Sequence, residues 1–94
     1  MNDHPPIARQ VRYSGQVQGV GFRATTWRIA QKFAVTGWVR NLPDGRVELW
    51  AEGHEPEVQR FLQAIRDCWR GSIQNEEIGS PPAESRYCAF DIAH

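Results

Sequence analysis

A glycine-rich stretch that ends in an arginine carries residue types suited to chemistry. Gly15, Gly19 and Gly21 lie close together, and Phe22 and Arg23 follow directly. Glycines let the backbone turn so that several N–H groups face one point and can bind an anion. An arginine adds two parallel hydrogen-bond donors that match a phosphate. The stretch therefore indicates a site for a phosphate-like group, and the alternative is an ordinary connecting turn with an exposed arginine.

Regular patterns on both sides of this stretch predict the elements that hold it. Val11 and Tyr13 alternate with polar residues, which is the period of a half-buried strand over residues 7–14. After the stretch, apolar residues recur at helical spacing and predict a helix over residues 23–34. A helix N-terminus carries partial positive charge and unpaired N–H groups, so a glycine turn that leads into it favours anion binding.

A predicted hairpin places a second candidate residue, Asn41. Alternation predicts strands over residues 35–41 and 46–52, and the turn at 42–45 combines a proline that presets φ with a glycine that accepts positive φ. We expect an antiparallel hairpin whose end meets the glycine loop. An amide can orient a water molecule by donating and accepting hydrogen bonds. Asn41 is equally typical of a turn that precedes Pro43.

The rest of the chain supplies a second helix and the outer strands. Apolar residues at steps of three and four after Pro56 predict a helix that Gly71 ends. Residues 72–78 are typical of a weak edge strand, and residues 86–92 of the last strand. The final β of the order is therefore either single or split into two short strands. Two amphipathic helices need one sheet face to cover. The order βαββαβ therefore predicts an α+β, ferredoxin-like split β-α-β sandwich, with an antiparallel sheet and both helices on one face.

Composition limits the class of protein. The chain has 94 residues with 11 basic and 11 acidic side chains, so no net field attracts nucleic acid or a membrane surface. No stretch approaches the roughly 20 apolar residues of a membrane span. The first residues lack the layout of a signal peptide. We expect a disordered lead-in over residues 1–6, a single domain over residues 7–94, and a monomeric cytoplasmic protein.

The sequence gives little support for a metal site or for a catalytic nucleophile. His4, His54 and His94 are widely separated, and neither they nor the two cysteines have metal-ligand spacing. No serine or cysteine stands at an evident nucleophile elbow beside a histidine. Cys68 and Cys88 fall on predicted apolar faces, which favours buried free thiols over a disulfide.

Nucleotide and RNA binding are the remaining alternatives. Residues 19–24 match the dinucleotide pattern G-x-G-x-x-A, but the acidic residue expected about twenty residues later is missing. Trp38 and Trp50 could form an RNA platform on the open face of the sheet. Cross-strand aromatic packing explains the same pair, and we favour that interpretation.

Two long segments resemble the signatures of the acylphosphatase family. Residues 15–23 (GQVQGVGFR) resemble the first signature, and residues 37–48 (GWVRNLPDGRVE), continued by Glu52 and Gly53, resemble the second. Their order, their separation and the closing residues 90–92 also fit. The resemblance covers nearly the whole chain, and two signatures in register are far more specific than either alone.

The resemblance implies a small stand-alone enzyme that needs no metal or other cofactor. It would hydrolyse the carboxyl–phosphate anhydride of acyl phosphates, small-molecule substrates, to a carboxylate and inorganic phosphate. Asn41 would position the attacking water, and a phosphate oxygen of the substrate would accept its proton. Phosphate would be bound by the Arg23 side chain and by the backbone N–H groups of Gln18, Gly19, Val20, Gly21 and Phe22. Inorganic phosphate or sulfate would fit the same loop.

Some positions depart from the family's pattern. Gln16 stands where a basic residue is common, which would weaken phosphate attraction, and Leu42 where some members carry a hydroxyl. Residues 72–84 fit the family's fourth strand poorly but include no catalytic position. The alternative function is a non-catalytic ferredoxin-like module that binds phosphorylated ligands or RNA, and salt-dependent RNA affinity without hydrolysis would identify it.

Overall fold

The computed structural model describes residues 5–93, so most of the predicted lead-in, His4 included, and His94 lie outside the described residues. The chain forms two helices and five strands over this range, and the predicted order is confirmed, with the last strand split in two. In chain order the elements are β1 (Ile7–Gly15), α1 (Phe22–Ala30), β2 (Thr36–Asn41), β3 (Val47–Gly53), α2 (Glu55–Cys68), β4 (Ile73–Gly79) and β5 (Phe90–Ile92).

Within residues 5–93 the strands form one sheet in the order β4-β1-β3-β2-β5. The pairs β1–β3, β1–β4 and β2–β3 are antiparallel, as predicted. β5 runs parallel to β2, so the sheet is mixed at this edge. The reason is that residues 80–89 reverse the chain while carrying it from the β4 edge to the β2 edge. The ferredoxin-like α+β prediction is confirmed.

Both helices pack against the same face of the sheet. The alternation in β1, β2 and β3 turns every second side chain toward them, which buries these side chains away from water. One cluster of buried residues joins the strands to α1 and α2: Val11, Tyr13, Val17, Phe22, Ala30, Val35, Val39, Val47, Leu49, Ala51, Val58, Phe61, Leu62, Ile65 and Phe90.

α1 is shorter than the predicted helix over residues 23–34. It ends at Ala30, and the chain continues in tight turns in which the N–H groups of residues 31–33 bond to the carbonyls three residues earlier. The helical period continued through Phe33 because its ring still packs against Phe61, with centroids 6.2 Å apart. The pattern of buried residues therefore continues beyond the end of the helix.

The other face of the sheet, called here the open face, buries the carboxylate of Glu48. This side chain is 2% exposed and lies on the central strand β3. It accepts hydrogen bonds from Gln10 Nε2 at 3.0 Å and Arg12 Nε at 3.0 Å, and from Arg40 Nη2 at 2.6 Å. The three donors stand on the neighbouring strands, so this network links β1, β2 and β3.

Residues 80–89 cover a second carboxylate on the open face, that of Glu52. It accepts hydrogen bonds from Trp50 Nε1 at 2.6 Å and from the backbone N–H groups of Glu84 and Ser85, both at 2.9 Å. Burial alone would raise the pKa of Glu52. The three N–H donors, together with the nearby Arg86, outweigh it and hold this pKa below its usual range.

The cross-strand packing prediction for the tryptophan pair is confirmed. Trp38 and Trp50 face each other across β2 and β3, with stacked rings 6.3 Å apart. The Arg40 guanidinium lies 4.9 Å from the Trp38 ring, and Trp38 Nε1 donates to Tyr87 Oη at 3.2 Å. Neighbouring side chains and residues 80–89, called here the crossing segment, therefore supply the contacts of both indoles.

The two cysteines are free thiols, but the prediction that they are buried is wrong. Cys68 ends α2 on its exposed side, and Cys88 is exposed ahead of β5. The prediction is wrong at Cys88 because strand pairing begins only at Phe90. Residues 86–89 are not in a strand, so the alternation of the sequence there does not turn Cys88 toward the core.

Candidate functional site

A cavity of about 240 Å³ lies where the loop after β1, the start of α1 and the end of β2 meet. This convergence follows from the topology, because the loop leads into α1 and α1 leads back to β2. The sequence-predicted residues that line the cavity come from all three elements. The full lining is Val17, Gly19, Gly21, Phe22, Arg23, Ala24, Asn41 and Ile92.

The backbone of the loop, residues 16–21, turns through left-handed conformations at Gly19 (φ 74°) and Gly21 (φ 82°). A Cβ atom added at either position would meet nothing within 4 Å. Glycine is therefore required here by backbone conformation and not by lack of space. The same conformation at Gly21 turns the chain into α1, for which Gly21 is the N-cap.

The start of α1 directs backbone donors at the cavity. Its N-cap makes no side-chain capping hydrogen bond, and the first backbone bond runs from Thr25 N–H to the Gly21 carbonyl at 3.0 Å. The N–H groups of residues 22–24 precede that bond, and such groups are normally satisfied by caps, water or ligands. With the positive end of the helix dipole, they make this point favourable for an anion.

Buried side chains hold the loop at both ends. Val17 is buried in the main core, and Gln16 N–H donates to the Ser72 carbonyl at 2.9 Å. Phe22 packs between Tyr13 and Trp69, with ring centroids at 5.3 and 5.1 Å. These contacts anchor both ends of the loop to the core.

Gln18 ties the loop to the β2–β3 turn through its side chain. Its Nε2 donates to the carbonyls of Leu42 and Arg46, both at 2.8 Å. Within the turn, Leu42 N–H donates to the Arg46 carbonyl at 2.8 Å. Gln18 therefore fixes the position of Asn41, which ends β2, relative to the loop. From the sequence, Gln18 is predicted to contribute its backbone N–H alone, although an amide with two donors facing a turn is a signal for this link.

Arg23 is the second residue of α1 and is half-buried at the cavity wall. Its Nη1 lies 3.5 Å from the Ala93 carbonyl, at the limit of a hydrogen bond. Among the described residues that line the cavity, Arg23 is the charged one, and no carboxylate stands there. The charge and the helix start favour the same kind of ligand.

Two predicted residues lie beside the cavity and not in its wall. Gln18 points toward the turn, and Val20 is exposed at the tip of the loop. Across residues 5–93 no three His, Cys, Asp or Glu side chains converge in a way that could hold a metal ion. Neither α1 nor α2 is long and apolar enough to cross a membrane.

The family model for acylphosphatases matches residues 9–92. The chain belongs to the acylphosphatase family. It is 65% identical over 82 residues to an acylphosphatase from Marinobacter nauticus, covering 86% of this chain and 89% of that protein. It is 48% identical over 89 residues to an acylphosphatase from Archaeoglobus fulgidus, covering 94% and 99%.

The same family accounts for the fold. The crystal structure of acylphosphatase from Bacillus subtilis matches with a TM-score of 0.84 and 33% identity, covering 94% of this chain and 99% of that one. The resemblance read from residues 15–23 and 37–48 is confirmed. The loop and the hairpin that carry those two signatures are the elements that border the cavity.

Proposed function

We propose that this chain hydrolyses acyl phosphates at the carboxyl–phosphate anhydride. The observation that carries the proposal is one cavity that joins the N–H groups of a glycine loop and a helix start, the Arg23 guanidinium and the Asn41 amide. Membership of the acylphosphatase family supports the reaction type. The chemistry is phosphoryl transfer to water, in which positioning and charge stabilisation do most of the work.

The phosphate of the substrate binds to the loop and to Arg23. The N–H groups of Gln18, Gly19, Val20, Gly21 and Phe22 surround its oxygens, and the guanidinium adds two parallel donors. These donors are held in place before the substrate arrives, so they can stabilise negative charge in the transition state without reorganisation. The same donors bind inorganic phosphate, the product.

Asn41 orients the attacking water from the end of β2. The water oxygen bonds to phosphorus while the bond from phosphorus to the acyl oxygen breaks and the carboxylate leaves. The water proton passes to a phosphoryl oxygen, so a dianionic acyl phosphate gives RCOO⁻ and H₂PO₄⁻. A carboxylate is a weak base with a pKa of about 4, so it leaves without a general acid. No titratable side chain other than Arg23 stands among the described lining residues, which suits this route.

The test is hydrolysis of benzoyl phosphate by the wild type and by Arg23→Ala, with a chelator present. We expect kcat/KM to fall by roughly a thousand-fold or more in the variant, because an arginine that stabilises a transferring phosphoryl group is worth that much. Competitive inhibition by inorganic phosphate should weaken in parallel. Arg60→Ala removes an exposed arginine from α2 as a control and should leave both values unchanged.

Folded wild-type protein that binds inorganic phosphate but hydrolyses no acyl phosphate would contradict the proposal. It would instead support the phosphate-binding module considered from the sequence. Equal turnover by Arg23→Ala and wild type would contradict the assigned phosphate site alone.

A further inference from the structure

The side chain of Gln18 crosses from the glycine loop to the turn between β2 and β3. Gln18 is half-buried, and its Nε2 donates to the carbonyls of Leu42 and Arg46, both at 2.8 Å. A carboxamide nitrogen carries two N–H groups, so each of the two carbonyls can receive one of them. Gln18 therefore joins two segments that border the cavity but lie 24 to 28 residues apart in the chain.

Both carbonyls stand at the base of the turn, beside Asn41. Leu42 follows Asn41 directly, and Arg46 is the last residue before β3. Leu42 and Arg46 also bond to each other across the turn, through the Leu42 N–H and the Arg46 carbonyl at 2.8 Å. The two hydrogen bonds from Gln18 thus hold the backbone at the point where β2 delivers Asn41 to the cavity.

The amide of Asn41 depends on this backbone for its position. Asn41 lines the cavity and is exposed at the end of β2. Within residues 5–93 its side chain makes no hydrogen bond that would fix the amide by itself. The place of the amide in the cavity is therefore set by where the end of β2 stands, and Gln18 ties that end to the loop.

The loop has other anchors that do not involve the Gln18 side chain. Gln16 N–H donates to the Ser72 carbonyl at 2.9 Å, and Val17 and Phe22 are buried in the core. The backbone N–H of residue 18 is also present with any side chain except that of proline. Loss of the Gln18 carboxamide therefore leaves the proposed phosphate-binding groups in place and changes their position relative to Asn41.

We infer that Gln18 is a positioning residue, whose side chain holds Asn41 in register with the loop so that the water on the amide is aligned with the bound phosphoryl group. This role rests on the proposed function and adds a residue to it. Phosphoryl transfer needs the attacking and leaving oxygens roughly in line, and a displacement of about 1 Å can cost a hundred-fold in rate. The Gln18 side chain acts through Asn41 and not on the substrate.

The first test is hydrolysis of benzoyl phosphate by Gln18→Ala and Gln18→Met. Methionine keeps the length of the side chain but has no N–H donor. We expect both variants to lower kcat roughly ten-fold, with KM and inhibition by inorganic phosphate within about two-fold of the wild type. Circular dichroism confirms that each variant is folded. Wild-type kcat in Gln18→Met, or a raised KM with unchanged kcat, would overturn the inference.

Gln31→Ala is the matched control for Gln18→Ala. Gln31 Nε2 also donates to a backbone carbonyl, that of Trp27 at 3.1 Å, but this hydrogen bond is exposed and local to the end of α1. We expect kcat and KM of Gln31→Ala to equal those of the wild type. A ten-fold loss of kcat in this variant too would mean that any lost side-chain hydrogen bond lowers turnover, which would overturn the specific role of Gln18.

A double-mutant cycle tests whether Gln18 acts through Asn41. We expect Gln18→Ala to lower kcat roughly ten-fold in the wild-type background and by about two-fold at most in the Asn41→Ala background, because the amide that Gln18 positions is already missing there. An equal loss in both backgrounds would mean that Gln18 affects turnover by another route, which would overturn the inference.

Amide hydrogen exchange separates this role from the proposed function, because it needs no turnover. Leu42 N–H and the Gln18 side chain share the Arg46 carbonyl as acceptor. We expect Gln18→Ala to speed exchange of Leu42 N–H roughly five-fold, as the loss of one hydrogen bond would, and Gln31→Ala to leave it unchanged. Unchanged exchange in Gln18→Ala would overturn the inference. Faster exchange in this variant, with no hydrolysis by folded wild type, would overturn the proposed function and confirm that Gln18 holds the turn.

Discussion

The open face of the sheet and the cavity beside α1 differ in how their polar groups are satisfied. The open face concentrates residue types that are typical of active sites: arginines, carboxylates and tryptophans. Yet Glu48 bonds to Gln10, Arg12 and Arg40, and Glu52 bonds to Trp50 and two backbone N–H groups. The cavity has one charged side chain among its described lining residues, together with backbone donors that precede the first helical hydrogen bond.

The difference shows that the number of functional side chains is a poor guide to a functional site. Charged and aromatic groups that satisfy one another stabilise the fold, whereas the backbone N–H groups that precede the first helical hydrogen bond are what the proposed site offers to a ligand. The two regions should therefore respond in opposite ways to mutation. Changes at the cavity should reduce activity at constant stability, and changes on the open face should reduce stability at constant activity.

After Arg23→Ala, the largest effect that this comparison predicts is at Asn41. We expect Asn41→Ala to lower kcat for acyl phosphate hydrolysis roughly a hundred-fold, because a misplaced reactant costs about that factor. KM and inhibition by inorganic phosphate should change little, since the amide acts on the water and not on the phosphate. Steady-state kinetics and urea unfolding of the same preparation give both quantities.

The urea midpoint should stay near that of the wild type, because Asn41 is exposed at the end of β2. Unchanged kcat with a lowered midpoint would assign Asn41 to turn formation, the alternative raised by its place before Pro43. In that case Asn41 would behave like a residue of the open face, which affects stability, and not like a residue of the cavity, which affects activity.

The second effect is on the open face, at Glu48. We expect Glu48→Ala to lower the free energy of unfolding by about 2–3 kcal/mol, because it leaves two arginines and an amide without their shared acceptor. The loss stays below that of a fully buried ion pair because the side chains of Arg12 and Arg40 are 41% and 47% exposed and can bind water. Urea unfolding measures it, and kcat/KM should remain within two-fold of the wild type.

Asp67→Ala is the matched control for Glu48→Ala. It also removes a carboxylate bonded to an arginine, here Arg70 at 2.8 Å, but both side chains are more than half exposed. Exposed pairs contribute little, so no measurable change in stability is expected. A fall in kcat/KM without a fall in stability in Glu48→Ala would mean that the open face takes part in catalysis.

Much of the fold and of the cavity could be predicted from the sequence because both rest on local patterns. Alternation in β1, β2 and β3 showed which side chains face the helices, and the turn at residues 42–45 set the hairpin. The glycines and Arg23 lie next to one another in the chain, so their convergence needed no long-range information. Asn41 was brought to them by the topology alone. Their catalytic roles stay predictions.

The open face could not be predicted in the same way. A period of two shows which face a side chain takes, but not what covers that face. Glu48 and Glu52 alternate with core residues as solvent-facing residues do, yet partners on other strands and in residues 80–89 bury them. That crossing segment has no periodic pattern, and its place depends on N–H groups of Glu84 and Ser85 that any sequence would provide. The side-chain link from Gln18 to the turn was missed for the same reason.

The smallest predicted effect on stability tests whether the negative charge of Glu52 holds the crossing segment in place. Because hydrogen bonds from N–H groups keep the folded-state pKa of Glu52 below its usual range, the folded protein favours the charged form. Its contribution to stability is therefore fully present above the unfolded-state pKa, about 4.3, and is lost as the pH falls through the lower folded-state value. Glu52→Gln should be less stable than wild type by about 1 kcal/mol at neutral pH, and this difference should shrink toward pH 3.

Comparing the two proteins by urea unfolding at several pH values isolates Glu52 from other carboxylates. Hydrogen bonds from N–H groups and nearby arginines also lower the pKa values of Asp44, Glu57 and Asp67. The pH dependence of the stability of the wild type alone is therefore the sum of contributions from several carboxylates. Those contributions cancel in the difference between wild type and Glu52→Gln. Equal stability of the two proteins at every pH would mean that the shape of the side chain, which glutamine preserves, and not its charge, holds residues 80–89. The open face would then owe its stability to packing, as the helix-covered face does.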